Sequence, residues 1–498
     1  MMQQLRKSAC AVSLTVFMLL SLVVPQQLYA GDFFVDGILY NELTDNTCEV
    51  TTYSYTGDVN IPETVSYGGK KYTVTAIGNN AFSMSSDLTA VTIPTTVTSI
   101  GEHAFYACSK LTSVTIPDFV TSIGAYAFMN CSSLATVTIG NSITTIGVSA
   151  FQYCDELTSV IIPDSVITIS EDAFYQCDNL KSVIVGNSVT TIGRYAFYSC
   201  DALKSITIGN SVNLIGESAF GYCNALERVD ISDLSAWCKI DLYSNPNSYA
   251  HNLLVNGEEI TDLTIPDDVT EIKPSVFCFC DKMTSVTIPS TVVSIGGSAF
   301  DTCSALTSVV FEDGASDLSL DMNAFFRCSI EKAYLGRQMD FLGLSGATLK
   351  TVEFGENVQS IVCVELPGYT SLKNVIVHSV FPPAFQGAYF ADSTYQTATL
   401  FVPESAISNY QSAVGWENFL NVKSLDDYDA ALNDVRIDSN ATFSVCNGVL
   451  HIDGDANVRV VAVNGTVVYS GNDNRDIALN KGLYIVIVGD NASKIAVR

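Results

Sequence analysis

Histidine is scarce: four residues, His103, His251, His378 and His451, lie far apart in 498. A catalytic triad or a zinc site would have to be assembled from scattered singles. Gly-rich phosphate loops, metal-spaced His/Asp clusters and a nucleophile elbow are also missing from the sequence. No EF-hand or nonapeptide calcium pattern occurs. The chain therefore reads as no enzyme, with no cofactor and no catalytic or metal residues to assign. Basic residues are few as well, 24 Lys and Arg against 52 Asp and Glu, for a net charge of -28. A basic stripe for phosphate is lacking, which weighs against nucleic acid and anionic lipid as partners. Beyond residue 30 no run reaches the roughly 18 apolar residues of a membrane helix, so no transmembrane segment is expected.

What the chain has in place of these is repetition. Cys108, Cys131, Cys154, Cys177, Cys200 and Cys223 stand 23 residues apart. Ala-Phe pairs keep the same beat at Ala104-Phe105, Ala127-Phe128, Ala150-Phe151, Ala173-Phe174, Ala196-Phe197 and Ala219-Phe220. Gly101, Gly124, Gly147, Gly193 and Gly216 precede them by three residues, and only Ser170 breaks that column. A period of this length indicates a solenoid.

One unit, Gly124 to Ile146, reads GAYAFMNCSSLATVTIGNSITTI. Its apolar set is Ala127, Phe128, Cys131, Leu134, Val137, Ile139, Ile143 and Ile146. The alternation Val137-Thr138-Ile139 predicts one short strand per unit, and Ala-Phe-x-x-Cys has the spacing of a tight helical turn. Eight inward side chains cannot offset the backbone entropy of a whole unit. Stability is therefore collective, through stacking, and both ends need covering.

The flanks fit that need. Residues 1–30 read as a secretory signal peptide: Arg6 and Lys7, an uncharged apolar stretch from Ala9 to Val24, and an exit at Leu28-Tyr29-Ala30. Export would make disulfides the default reading for the remaining cysteines. The periodicity predicts instead a column of buried thiols packing as small apolar residues. Cys278-Phe279-Cys280 has no accompanying histidine and falls on the same ladder.

Along the chain, residues 31–75 predict a β-hairpin cap, and 76–424 the solenoid. An irregular insert at 232–262 carries Trp237, and a closing helix is expected near 404–419 with Tyr410, Trp416 and Phe419 sealing the stack. Asp426-Asp427-Tyr428-Asp429 reads as a solvated linker. Residues 434–498 alternate in short strands joined by turns at Asn464-Gly465 and Lys481-Gly482, a small β-sandwich.

The unit Ile123-Gly124-x-x-Ala127-Phe128-x-x-Cys131-x-x-Leu134-x-x-Val137-x-Ile139 resembles the BspA-type leucine-rich repeat of exported bacterial proteins. The terminal module, with Gly465-Thr466-Val467-Val468-Tyr469, Leu479-x-x-Gly482-x-Tyr484-Ile485-Val486 and Lys494, resembles the C-terminal sorting domain of the type IX secretion pathway. The first resemblance implies a cell-surface or secreted leucine-rich repeat solenoid, of which some members are adhesins for host matrix glycoproteins or for other bacteria. The second implies engagement of secretion machinery through the C-terminal domain.

Two surfaces offer candidate binding residues. The outward strand positions form a hydroxyl-rich column, Thr92, Thr115, Thr138, Thr207, Thr264 and Thr287, interrupted by Ile161, Ile184 and Asp230. Such residues also simply suit a solvated strand face. The outer turns carry Tyr106, Tyr126, Tyr175, Tyr195 and Tyr198, stiff amphipathic groups suited to interfaces and to sugars. Partial burial between coils would account for them without a ligand. The expected function is protein or glycoprotein recognition, that is, adhesion. Glycan capture for nutrition, drawing on exposed Tyr or Trp237, is one alternative, and a structural spacer is another.

Overall fold

The computed structural model describes residues 31–428, apart from 322, 340–343, 345–347 and 363–367, and the strands within 441–497. The expected signal peptide, the linker beyond Tyr428 and the Asn464-Gly465 turn lie outside the described residues. The chain divides into two units. The first runs to Val309 and includes Leu318–Ile330. The second comprises Val310–Asp317, Glu331–Asp340 and Thr348 onward.

The first unit is a parallel β-solenoid opened by an antiparallel cap. Asp32–Val35, Ile38–Thr44 and Thr47–Val50 form a meander, and Thr47–Val50 then pairs in parallel with Lys70–Ile77. Thr64–Tyr67 folds back on Lys70–Ile77 as a hairpin. Each coil after that contributes the expected strand, for example Ser159–Ile162, Ser182–Val185, Ser205–Ile208 and Arg228–Ile231, paired in register one repeat apart. The structure adds a second, two-residue ladder on the return path: Ser99–Ile100, Ser122–Ile123, Thr145–Ile146, Thr168–Ile169 and Thr191–Ile192. Ile at the second position is buried in each of these five, so the Ser-Ile and Thr-Ile pairs work as a minimal strand with one face in the core.

Where the Ala-Phe-x-x-Cys spacing suggests a helical turn, the backbone makes consecutive turns instead. Left-handed residues recur at His103, Tyr126, Ser149, Asp172, Tyr195 and Ser218, and again at Ala107, Asn130, Tyr153, Gln176, Ser199 and Tyr222. The alternation directs successive N–H groups differently. Ala104 N–H bonds back to Gly101 O within its own coil, whereas His103 and Phe105 N–H reach Ala125 O and Ala127 O of the next coil at 3.0 and 2.7 Å. Every coil is thereby tied to its neighbour on this face as well, which offsets the cost of left-handed non-glycine residues.

The core is a set of columns. Phe82, Phe105, Phe128, Phe151, Phe174, Phe197 and Phe220 are fully buried and stack ring on ring, with centroids 4.8 to 5.4 Å apart and planes within 8° of parallel. Beside them the cysteines are fully buried thiols, each donating its S–H to the carbonyl of a phenylalanine one coil earlier. Cys131 reaches Phe105 O at 3.1 Å and Cys177 reaches Phe151 O at 3.2 Å. Burial pushes the Cys223 thiol up to about 12 and drives Cys154 and Cys200 in the same direction. These side chains are thiols at neutral pH and act as apolar filling. The glycine column reflects close approach: a Cβ on Gly124 would lie 2.5 Å from the carbonyl carbon of Gly101.

The insert begins with helix Leu234–Cys238, whose N-cap Asp233 accepts Ala236 N–H at 3.0 Å. Its Trp237 is buried, with Nε1–H donated to Val276 O at 2.8 Å. Asp241–Leu242 rejoins the second ladder. Helix Asn247–Ala250 follows, then the hairpin Leu253–Val255 and Glu258–Glu259, turned by Asn256 and Gly257, both with positive φ. Regular coils resume at Asp262–Thr264, which pairs with Ser285–Ile288.

In the second unit, Lys332–Leu335, Thr351–Phe354, Asn374–Val377, Thr399–Val402 and Asn421–Ser424 form a parallel ladder. In place of one helix over 404–419 there is a 3-10 turn, Glu404–Ala406, a short helix, Ile407–Tyr410, and hydrogen-bonded turns as far as Phe419. Gly415, with φ +85°, sits in those turns in a conformation incompatible with a continuing helix. Trp416 is buried among Phe385, Phe390, Tyr410 and Phe419, and its Nε1–H bonds to Pro383 O at 2.8 Å. Tyr428, in the segment that reads as a solvated linker, instead packs on Phe401 with centroids 4.9 Å apart. The C-terminal strands form two antiparallel sheets: Ala441–Cys446, Val449–Gly454 and Arg475–Ala478 in one, and Val467–Gly471, Val458–Ala462, Gly482–Val488 and Asn491–Val497 in the other. The first and last strands of this module were not picked out by the alternation pattern.

Candidate functional site

The outward threonines are placed by strand register. Thr115 stands opposite Thr138, and Thr264 opposite Thr287. Thr92 lies at the end of Asp87–Thr92, opposite Asn60. Thr92, Thr115, Thr138 and Thr264 are exposed, while Thr207 and Thr287 are half-buried. Midway along the row, Ile161 and Ile184 are 65% and 47% exposed and directly adjacent, giving the hydroxyl face an apolar centre. The row then reaches Asp230, only 8% exposed, with Oδ2 held by Arg228 Nη2 at 2.9 Å. A different threonine column is structural. Thr98, Thr121, Thr144 and Thr190 each donate Oγ1–H to a carbonyl one coil earlier, at 3.2 to 3.4 Å.

The outer-turn tyrosines separate into two groups. Tyr106 and Tyr126 flank His103, with Tyr126 stacked on the imidazole at 4.7 Å. Tyr175, Tyr195 and Tyr198 belong to a larger cluster that includes two tyrosines the sequence reading did not single out, Tyr222 and Tyr249. Tyr175 and Tyr198 stack at 5.2 Å with planes 4° apart, and Tyr195 and Tyr222 meet Tyr198 edge-on at 5.2 and 5.1 Å. Together with Ser218 and Gly221 these rings line a cleft of about 440 Å³.

The cleft exists because the repeat changes here. Gly221 falls in the column that supplies Tyr175 and Tyr198 to the preceding coils. A Cβ at Gly221 would stand 2.7 Å from Tyr198 Cδ2, so the missing side chain lets that ring lie against the backbone. On the next coil the insert takes over: helix Asn247–Ala250 presents Tyr249, whose hydroxyl accepts Tyr222 N–H at 3.2 Å. A bulky residue lost from one column, immediately before an irregular segment, was the signal available in the sequence.

Charge adjoins the cleft at Tyr195. The Arg194 guanidinium covers the Tyr195 ring at 4.4 Å, donates to its hydroxyl at 2.8 Å and pairs with Glu217 at 3.2 Å. Asp172, the residue before Tyr195 in its column, has its carboxyl pushed up to about 6 by burial, with the Glu171 carboxylate adding and Arg194 opposing.

Trp237 offers no surface for glycan contact: it is buried, with its Nε1–H bonded to Val276 O. Cys278 and Cys280 are buried beside Asn245 and Asn247, whose amides donate to Ser275 O and Cys278 O at 2.6 and 2.8 Å. Among the described residues no group of three or more His, Cys, Asp or Glu is placed to hold a metal. Among them, too, no helix is long and apolar enough to cross a membrane.

A family model described as BspA type leucine rich repeat region (6 copies) matches residues 70–180, 144–236 and 233–332, together more than half of the 498 residues. No curated protein matches the chain. Among solved structures, it is similar to a leucine-rich repeat protein from Bacteroides ovatus, at 24% identity over 79% of this chain and 99% of that one, with a TM-score of 0.43. It is similar to a leucine rich cell surface protein from Faecalibacterium prausnitzii, at 27% identity over 79% of this chain and 94% of that one, TM-score 0.39. A third is a leucine rich repeat protein from T. pallidum, at 30% identity over 39% of this chain and 90% of that one, TM-score 0.36. The periodic Ala-Phe-x-x-Cys columns and the family match agree, and the chain belongs to the BspA type leucine rich repeat family.

Proposed function

We propose that this chain is a non-enzymatic recognition protein, exported to the cell surface or released, that binds a protein or glycoprotein partner along its solenoid. The observation that carries this reading is the division of labour in each coil. Phe, Cys, Leu and Ile columns hold the stack, so the outward strand residues are free to serve contact. Their hydroxyl rows around Ile161 and Ile184 place hydrogen-bonding groups about an exposed apolar centre, the arrangement of apolar centre and polar rim found at protein-binding faces. In the same reading residues 1–30 act as signal peptide, 31–75 as cap, and 434–498 as a sorting-like module that engages the secretion machinery.

The test is biolayer interferometry of the chain from Gly31 onward against immobilised matrix glycoproteins and bacterial surface proteins. Saturable binding to at least one is expected. Absence of saturable binding to all of them, with a cooperative melt showing folded protein, would leave the chain as a spacer.

A further inference from the structure

The tyrosine cleft points to a ligand class of its own, and the inference rests on the recognition reading above. Three features bear on it. The lining consists only of aromatic faces, phenol and serine hydroxyls, and one glycine; no Asp, Glu, Lys or Arg contributes. The nearby cation, Arg194, already has its charge engaged by Glu217 and the Tyr195 ring. At about 440 Å³ the cleft falls low in the range of small-ligand sites, roughly 300–1,000 Å³.

A ligand matching such a surface presents apolar C–H faces to the rings and hydroxyls to the rim, and carries no charge. An anionic sugar would meet a chain of net charge -28 with no cation in the lining, and a cationic ligand would find no carboxylate there. We propose that the cleft formed by Tyr175, Tyr195, Tyr198, Tyr222 and Tyr249 is a binding site for a neutral saccharide. Tyr222, 58% exposed, supplies the accessible ring. Tyr249, whose oxygen accepts Tyr222 N–H, keeps its own proton to donate to a sugar hydroxyl. The insert then has a role in function: it closes one side of the sugar site.

The test uses the chain from Gly31 onward, titrated by calorimetry with neutral gluco-, galacto- and manno-oligosaccharides and, in parallel, with a uronate oligomer and a proline-rich peptide. The expected result is saturable binding of at least one neutral oligosaccharide. It should weaken about tenfold in Tyr222→Ala, the scale of one lost ring contact, and stay within a few-fold in Tyr222→Phe. It should be unchanged in a strand-face variant carrying Thr115→Lys and Thr138→Lys. Because Tyr222 is exposed, its variants are expected to melt as the parent does. The inference is overturned if no neutral oligosaccharide binds, if binding is indifferent to Tyr222→Ala, or if the uronate or the peptide binds the cleft in preference. Each of those results leaves the recognition reading to stand or fall on its own protein-binding test.

Discussion

Replacing Phe151 by alanine probes what holds the coils together. The ring is fully buried and lies between Phe128 and Phe174, 5.2 Å from each, with planes 0° and 6° from parallel. Removing it from a packed column costs the transfer of the ring and the cavity left behind, about 3–5 kcal/mol. Two stacked pairs are lost at once, each such pair contributing roughly 0.5–1.5 kcal/mol beyond burial. The expected loss is therefore at the upper end, about 4–5 kcal/mol. Phe119→Ala is the control, since that ring is 63% exposed and a change there should stay within about 0.5 kcal/mol. Urea titration followed by circular dichroism reads both. Because stability in a repeat array passes through neighbouring coils, Phe151→Ala should also broaden or split the transition. A shift below about 1 kcal/mol with an unchanged single transition would refute the ring column as the main tie between coils.

Thiol reagent at pH 8 should leave the column cysteines of the native chain unreacted and label them all in denaturant, because they are buried away from the reagent and burial raises the thiols of Cys154, Cys200 and Cys223 in particular; rapid native labelling, or masses showing disulfides, would contradict this. Asp172 has a folded pKa of about 6 against an ordinary value of 3.8, so its contribution is fully present below 3.8 and is lost as pH rises through 6. Asp172→Asn should therefore match the parent's melting temperature near pH 3.5 and exceed it at pH 8, and a constant difference across that window would reject the assignment. Trp416→Ala should cost about 3–5 kcal/mol in the second unit, as read by chemical denaturation, since a buried ring and its bond to Pro383 O are both lost.

What was legible in the sequence is what each coil repeats. Phe128, Cys131 and Leu134 recur at fixed spacing because each must sit on its counterpart one coil away, so the period exposes the core directly. The Val137 strand was readable for the same reason. The left-handed turns at Tyr126 and Asn130 were not, because no glycine marks them; their conformation is held by N–H groups bonded to the next coil, a partner outside the local window. Tyr175, Tyr195 and Tyr198 could be named as outer-turn aromatics. Their assembly into a cleft depends on Gly221 and on Tyr249, which the fold of the insert brings in from outside the repeat. Burial of Trp237 and Tyr428 escaped notice for the same reason, each being covered through contacts distant in sequence.

The core columns carry the fold, and on the function proposed above the outward strand face carries recognition. A single preparation of the variant Thr92→Lys, Thr115→Lys and Thr138→Lys, measured for both melting and partner binding beside the parent, separates the two roles. All three residues are exposed, so melting should stay within a few degrees of the parent while the saturable protein binding is lost. Binding that survives in the folded variant would contradict the claim, as would a variant that unfolds together with its loss of binding.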